Sequence, residues 1–142
     1  MIFRRVIFYI LSFTWGIVMT SIGLVVTIVL LPFGKQHIFH GRIYTEIGKG
    51  WGGLELGCFF ICCKTQSDNL RAHECGHGLQ NCLWGPLFPF VIAIPSAIRY
   101  WYREIVRKKN PEKFKTLGKY DDIWFEGQAT RWGCDYVLTD KI

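Results

Sequence analysis

The chain has 142 residues, half of them hydrophobic, and a formal net charge of +6 at pH 7. This length accommodates one domain with at most an anchor, and it excludes a multidomain assembly. No base-stacking platform or nucleic-acid-binding motif accompanies the basic charge, so we expect no nucleic-acid partner.

The first predicted element is an apolar segment at the N terminus. Val6 to Leu31 contains no charged residue over 26 positions, which is long enough to cross about 30 Å of hydrocarbon. A cleaved signal peptide would have a shorter apolar core and a small-residue cleavage site, whereas this run leads into Leu31-Pro32-Phe33-Gly34. We therefore expect residues 1–34 to be a single-pass transmembrane anchor and residues 35–142 to form one membrane-associated, zinc-binding domain.

A β-hairpin is predicted next. Ile43–Ile47 has β character, a glycine-rich stretch over residues 48–53 marks a turn, and Leu54–Cys63 is rich in Phe, Ile and Cys. If Leu54–Cys63 is an edge strand, it could bind an extended peptide by adding it to the sheet.

Two helical segments follow the strands. The first is predicted from Asn69 to Trp84, with Ser67 or Asp68 as the N-cap and Gly85-Pro86 at its end. The second, beginning at Pro86, is apolar but too short for a full crossing, which favours a re-entrant or interfacial helix with membrane lipids as partner. Burial in the protein core is the alternative.

The C-terminal part is predicted to be a polar connection over residues 107–122 and a last helix from Ile123 to Leu138. Eight of the 17 Lys and Arg lie between Arg99 and Lys119, which favours contact with anionic headgroups on the cytoplasmic leaflet. The chain also has six cysteines. Three disulfides, or a second zinc site that lacks a fourth ligand, are the alternatives to reduced thiols in a cytoplasmic domain.

The motif that carries chemistry is His73-Glu74-Cys75-Gly76-His77, an HExxH sequence. Two imidazoles four residues apart on a helix can bind one Zn²⁺, and Glu74 is then placed as the general base that takes a proton from the water. A catalytic zinc site usually has a third protein ligand. A structural His pair on an amphipathic helix is the alternative to a catalytic site.

Glu126 is the predicted third ligand. No His follows the motif, and His37 and His40 lie upstream across the predicted hairpin. Ala129 and Gly133 share one helix face with Glu126, and small residues there allow close approach to the motif helix at Gly76. Three residues could donate to a developing oxyanion, and the sequence does not choose among them: Tyr120, Arg131 and Tyr136.

The order of these motifs resembles a group of small bacterial membrane proteins. HECGHGLQ (residues 73–80), GPLF (85–88), IPS (94–96) and Glu126-x-x-Ala129 are similar to the HExGHxxQ helix, GPLY-like turn, IPS segment and ExxA helix of that group. Cys75 and Phe88 depart from it. The resemblance implies a gluzincin-like zinc peptidase, with His73, His77 and Glu126 as ligands and Glu74 as catalytic base.

The expected fold is therefore α+β: an N-terminal transmembrane helix, a β-hairpin and a mainly helical, zincin-like domain with the re-entrant or interfacial segment. The expected function is a membrane-anchored zinc-dependent metallopeptidase that hydrolyses peptide or protein substrates. A non-enzymatic membrane interaction protein with a structural zinc site is the alternative, and a lipid-linked amide hydrolase is a further one.

Overall fold

The computed structural model describes residues 2–139. Met1 of the predicted anchor and residues 140–142 of the predicted domain lie outside the described residues. The described residues form helices packed around one mixed four-stranded sheet. In chain order the elements are α1 (Ile2–Phe13), α2 (Ile17–Leu30), β1 (Lys35–Phe39), β2 (Arg42–Glu46), β3 (Gly53–Leu56), β4 (Phe59–Cys62), α3 (Asp68–Trp84), α4 (Ile94–Lys109), α5 (Pro111–Lys115) and α6 (Trp124–Gly133).

The predicted transmembrane helix over residues 1–34 is wrong. The apolar run is divided into α1 and α2, which meet at an angle of 90°. Packing explains the bend, because the backbone at Gly16 lies against α3, where a Cβ would come within 2.4 Å of Asn81 Nδ2. Among residues 2–139 no single helix is long and apolar enough to cross a bilayer. Two sharply bent pairs reach that length and hydropathy together: Ile2–Phe13 with Ile17–Leu30, and Asp68–Leu87 with Pro89–Lys109.

The predicted hairpin is also wrong, because the strand order is β1-β2-β4-β3. β2 and β4 pair in parallel, with Ile43 opposite Phe59, and each has its own antiparallel partner. The run from Leu54 to Cys63 is not one strand but two, separated at Gly57, which has φ +79°. A side chain at Gly57 would collide with the backbone of Thr20, so α2 lies directly against the turn between β3 and β4.

Helix α3 begins and ends close to its predicted bounds. Ser67 is its N-cap, accepting a hydrogen bond from Leu70 N at 3.3 Å, and Gly85 with φ +50° ends it. Its central turns, from Ala72 to Gly78, are buried between the sheet and α6. This helix therefore presents the HExxH side chains inside the molecule.

The second apolar segment starts with a 3₁₀ turn, Gly85–Leu87, and a π-helical turn, Pro89–Ala93, before α4 begins. Phe88 and Ile92 are buried against Met19, Leu56 and Phe125. The predicted polar connection contains α5 and the 3₁₀ turn Tyr120–Asp122, and the predicted last helix continues from α6 into the π-helical turn Cys134–Leu138.

The cysteines are free thiols, as expected. Cys58, Cys62, Cys63 and Cys75 are buried, and Cys82 and Cys134 are half-buried. Cys62 and Cys75 pack in one core cluster with Tyr44, Phe60 and Val137. Burial raises the pKa of Cys58 and of Cys62 to about 11, which keeps both thiols protonated and suits a packing role.

Candidate metal centre

Three side chains from two helices converge at the contact between α3 and α6. The Nε2 atoms of His73 and His77 each lie 3.1 Å from Oε2 of Glu126. The donor atoms of all three residues lie within 4.8 Å of one another. His73, His77 and Glu126 therefore form a group that could hold a metal ion.

The spacing of these atoms fits a small divalent cation. In a tetrahedral site with bonds of about 2.0–2.1 Å, neighbouring ligand atoms lie about 3.3 Å apart. The observed 3.1 Å between each imidazole nitrogen and the carboxylate oxygen is close to that value. Both nitrogen–oxygen distances are therefore compatible with one ion bound by all three side chains.

Small residues bring the two helices together, as the sequence indicated. A Cβ at Gly76 would lie 2.0 Å from the carbonyl oxygen of Ala129, and one at Gly133 would lie 2.2 Å from that of Ala72. The backbones of α3 and α6 are thus in direct contact at both positions. This close contact places Glu126, which has no exposed surface, against the imidazole pair.

His77 is oriented by Gln80, one turn further along α3. Gln80 Nε2 donates to the carbonyl of Phe125 at 2.8 Å and to Gln128 Oε1 at 2.9 Å. These two bonds turn Gln80 Oε1 towards His77 Nδ1, at 2.7 Å. Since an amide oxygen only accepts, Nδ1 of His77 carries a proton, and Nε2 is the nitrogen that faces Glu126.

His73 is oriented in the same way by a hydroxyl. Thr130 Oγ1 donates its single hydrogen to Asp121 Oδ2 at 2.8 Å. It must therefore accept from His73 Nδ1, also at 2.8 Å. Both imidazoles then direct Nε2 at the Glu126 carboxylate while supporting residues hold their Nδ1–H groups, an arrangement typical of metal-ligating histidines.

Such a cluster needs a positive charge at its centre. Lone pairs from two imidazoles and a carboxylate repel one another unless a proton or a cation lies between them. Burial lowers the pKa of His77, but the hydrogen bond to Glu126 and the nearby Glu74 carboxylate outweigh it and raise that pKa to about 9. A divalent ion satisfies the same requirement by binding all three donors at once.

The second carboxylate oxygen of Glu126 is held by α4. Ser96 Oγ donates to Glu126 Oε1 at 2.5 Å, and the Tyr120 hydroxyl lies 3.5 Å from Ser96 Oγ. Burial acts to raise the pKa of Glu126, but hydrogen bonds from His73, His77 and Ser96 hold it well below its usual range. Glu126 is therefore an anion with both oxygens directed by neighbours.

Glu74, the predicted catalytic base, lies beside the group and is not one of its three members. It is buried against β3, where a Cβ at Gly53 would come within 2.6 Å of Glu74 Oε1. Burial raises the pKa of its carboxyl, whereas the imidazoles of His73 and His77 and a hydrogen bond from the Glu55 backbone lower it. The absence of a side chain at Gly53 leaves room for this carboxylate.

Glu74 and the three-residue group line one cavity of about 690 Å³. Its other walls come from β3, from α4 and from the loop before α6, and are largely apolar and aromatic: Trp51, Phe88, Ile92, Ala97, Tyr100 and Tyr120. Of the three candidate oxyanion donors, Tyr120 lines this cavity, Tyr136 lines a different one beside Arg4, and Arg131 is exposed on α6.

Several residues of the site had no role assigned from the sequence: Gln80, Ser96, Asp121, Thr130 and Glu55. Gln80 lies three residues after His77 and Thr130 four after Glu126, so helical spacing contains a signal for both. Glu55 has no such signal. Burial raises its pKa to about 8, Oε1 accepts from Gly57 N at 2.5 Å, and Oε2 has no hydrogen-bond partner among residues 2–139.

The other candidate ligands lie elsewhere. His37 is on β1, stacked on Tyr44 and 3.6 Å from Glu46, and His40 is in the turn after β1. Neither belongs to the group, and within residues 2–139 no cysteine joins it.

No protein-family model, curated protein or solved structure matches the chain. The resemblance to small bacterial membrane proteins therefore remains a prediction.

Proposed function

We propose that the protein is a zinc-dependent metallopeptidase. The observation that carries the proposal is the convergence of His73, His77 and Glu126 in a cavity that also holds Glu74. Two imidazoles and one carboxylate are a ligand set of catalytic zinc, in which the fourth position is left for water or substrate. Structural zinc sites are closed by four protein ligands, whereas three donors are grouped among the described residues.

A zinc ion bound there would supply Lewis-acid polarisation of the scissile carbonyl and acidify the attacking water. Glu74 accepts the proton of that water and delivers it to the leaving amine. The Glu74 carboxylate lies against β3, and the residue itself belongs to a buried turn of α3, so its position is fixed for this task. The Tyr120 hydroxyl, at the same cavity wall, is the donor available to a developing oxyanion.

The position of β3 supports a peptide as the substrate. β3 has a strand neighbour, β4, on one side only within the described sheet, and Gly53, Leu54 and Glu55 form a wall of the cavity. In this proposal an extended peptide pairs with the outer edge of β3 at Gly53, next to the Glu55 N–H that donates to Glu74, and its scissile bond lies beside that carboxylate.

The substitution Glu74→Gln tests the proposal against the alternative of an interaction protein with structural zinc. The variant should keep one zinc per chain, because Glu74 is not in the ligand group, and should lose peptide cleavage by about a thousandfold or more. Zinc is measured by elemental analysis and cleavage with a library of fluorogenic peptides. Unchanged cleavage in Glu74→Gln, or a zinc-loaded wild type that cleaves no peptide, would overturn the proposal.

A further inference from the structure

We propose that the outward face of residues 87–105 lies on an anionic lipid bilayer, and that the metal cavity opens beside it towards peptide segments held at the membrane surface. Exposed side chains of this face support the bilayer contact independently of the metal site. The substrate class rests on the proposed function.

Six large apolar side chains form one row along this segment. They are at least 48 % exposed and follow each other at intervals of three or four residues: Leu87, Phe90, Ile94, Ile98, Trp101 and Ile105. We call this row the apolar stripe. Helical spacing places Ile94, Ile98, Trp101 and Ile105 on one face of α4, and Leu87 and Phe90 are exposed in the two turns that precede it. Each exposes on the order of 100 Å², so the stripe matches or exceeds the largest apolar patch of a typical soluble monomer, about 300–600 Å².

The order of residue types along the stripe fits a bilayer. Its first four members are aliphatic or Phe, Trp101 and Tyr102 follow, and Lys108 continues the same face three residues beyond Ile105. Hydrocarbon, interface and headgroup layers favour apolar, aromatic and basic side chains in that order. The N-terminal end of the stripe should therefore lie deepest.

Charge complementarity favours anionic lipids. The chain after the stripe exposes five lysine side chains: Lys108, Lys109, Lys113, Lys115 and Lys119. The acidic residues among them are few, and Glu104 and Glu112 are each paired with a basic neighbour, at 2.6 and 2.8 Å. The net positive charge beside the apolar stripe attracts an anionic membrane surface.

The same segment forms a wall of the metal cavity. Phe88 and Ile92, which lie between members of the stripe, point inwards and line the cavity together with Ala97 and Tyr100. Trp101 both lines the cavity and is 63 % exposed on the stripe. The cavity mouth thus borders the surface that we assign to the bilayer. A peptide segment close to a membrane anchor would reach the site without leaving the lipid surface.

Other exposed apolar side chains, on α1 and α2, could bind lipid on their own. The experiment must therefore report on the stripe itself. An environment-sensitive fluorophore is attached at Ile98→Cys, and the matched control is Arg107→Cys, exposed on the same helix and about 180° away around its axis. The labelled parent chain provides the background from the native thiols.

With vesicles of phosphatidylcholine and phosphatidylglycerol, the probe at 98 should shift to the blue and be protected from aqueous iodide, while the probe at 107 stays accessible. Vesicles of phosphatidylcholine alone should give the weaker response. Equal responses at the two sites, or no vesicle response at 98, would overturn the bilayer contact. If Ile98→Cys fails to fold, quenching of tryptophan fluorescence by brominated lipids is measured in the wild type and in Trp101→Phe. The difference between the two proteins is the quenching of Trp101, which gives the same information.

The substrate class is tested with one peptide in two forms, free in solution and attached to an acyl chain in vesicles. Ile98→Lys should slow cleavage of the attached form by about tenfold and leave the free form unchanged, because Ile98 does not line the cavity. Equal slowing of both forms would overturn the surface-substrate inference. Cleavage of neither form by zinc-loaded wild type would instead overturn the proposed function and leave the fluorescence result standing.

Discussion

The contact between α3 and α6 and the outward face of α4 use opposite kinds of side chain. The first buries ionisable and amide groups, such as His77, Gln80 and Glu126, and gives each a hydrogen-bond partner. The second exposes Ile98 and Trp101 without any intramolecular hydrogen-bond requirement. Buried polar groups depend on each neighbour, since an unpaired one costs the full desolvation energy. The free energy contributed by exposed apolar groups depends instead on the partner surface that covers them.

The largest effect should follow from separating α3 and α6. In Gly76→Ala the new Cβ would lie 2.0 Å from the Ala129 carbonyl, so the backbones must move apart. We expect a loss of about 3 kcal/mol or more in the free energy of unfolding. Gly52→Ala is the control, because nothing lies within 4 Å of its Cβ. Chemical denaturation of both variants measures the difference, and equal stability would contradict the close helix contact.

A large effect on metal binding should follow from Glu126→Gln. The substitution keeps the side-chain shape but removes the negative charge and one ligand. Zinc affinity should fall by more than about 100-fold, since loss of an outer-shell partner alone costs about 10–100-fold. Competition with a fluorescent chelator measures the affinity. Glu112→Gln, an exposed carboxylate on α5, should bind zinc like wild type.

Removing the metal should destabilise the wild type more than it destabilises Glu126→Gln. A ligand present at about 100 times its dissociation constant stabilises the native state by about 2.7 kcal/mol. Addition of a chelator should therefore lower the melting temperature of wild type and leave that of Glu126→Gln nearly unchanged. A chelator response of the same size in both would place the stabilising metal somewhere else.

A smaller effect is expected from Thr130→Val. This variant keeps the shape but removes the oxygen that accepts from His73 Nδ1 at 2.8 Å. Zinc affinity should fall by about tenfold while zinc still binds. Thr116→Val, on the exposed turn after α5, serves as control. An affinity unaltered in Thr130→Val would mean that His73 is oriented by other contacts.

The smallest effect on stability is expected on the stripe. Ile98→Ser should change the free energy of unfolding by less than about 0.5 kcal/mol, since Ile98 is 64 % exposed. Ile92→Ala, whose side chain is fully buried in the same segment, should cost about 2–5 kcal/mol. A cost for Ile98→Ser near that of Ile92→Ala would show that the stripe is a packing surface within the chain.

The comparison also explains which parts of the structure could be predicted. The α3 bounds and the pairing of Glu126 with the motif follow from local signals: an N-cap at Ser67, Gly85 at the end, and small residues at helical spacing on α6. Such signals directly specify where a helix begins and ends and which of its faces can approach another helix. The site therefore came together as the motif and its spacing indicated.

Hydropathy gave weaker guidance. The uncharged run over residues 6–31 contains Gly16, but nothing local shows that α3 packs there and bends the chain by 90°. Likewise the apolar run turns back at Gly57, against α2, and its second half pairs in parallel with β2. These features arise from contacts between distant parts of the sequence, which a pattern of apolar residues does not specify.

The central claim is tested most directly by a crystal of the zinc-loaded protein with anomalous diffraction recorded on both sides of the zinc absorption edge. The account predicts one anomalous peak per chain, about 2.0–2.2 Å from Nε2 of His73, Nε2 of His77 and Oε2 of Glu126. A peak at any other residues, or zinc retained at full occupancy in His73→Ala, would contradict it.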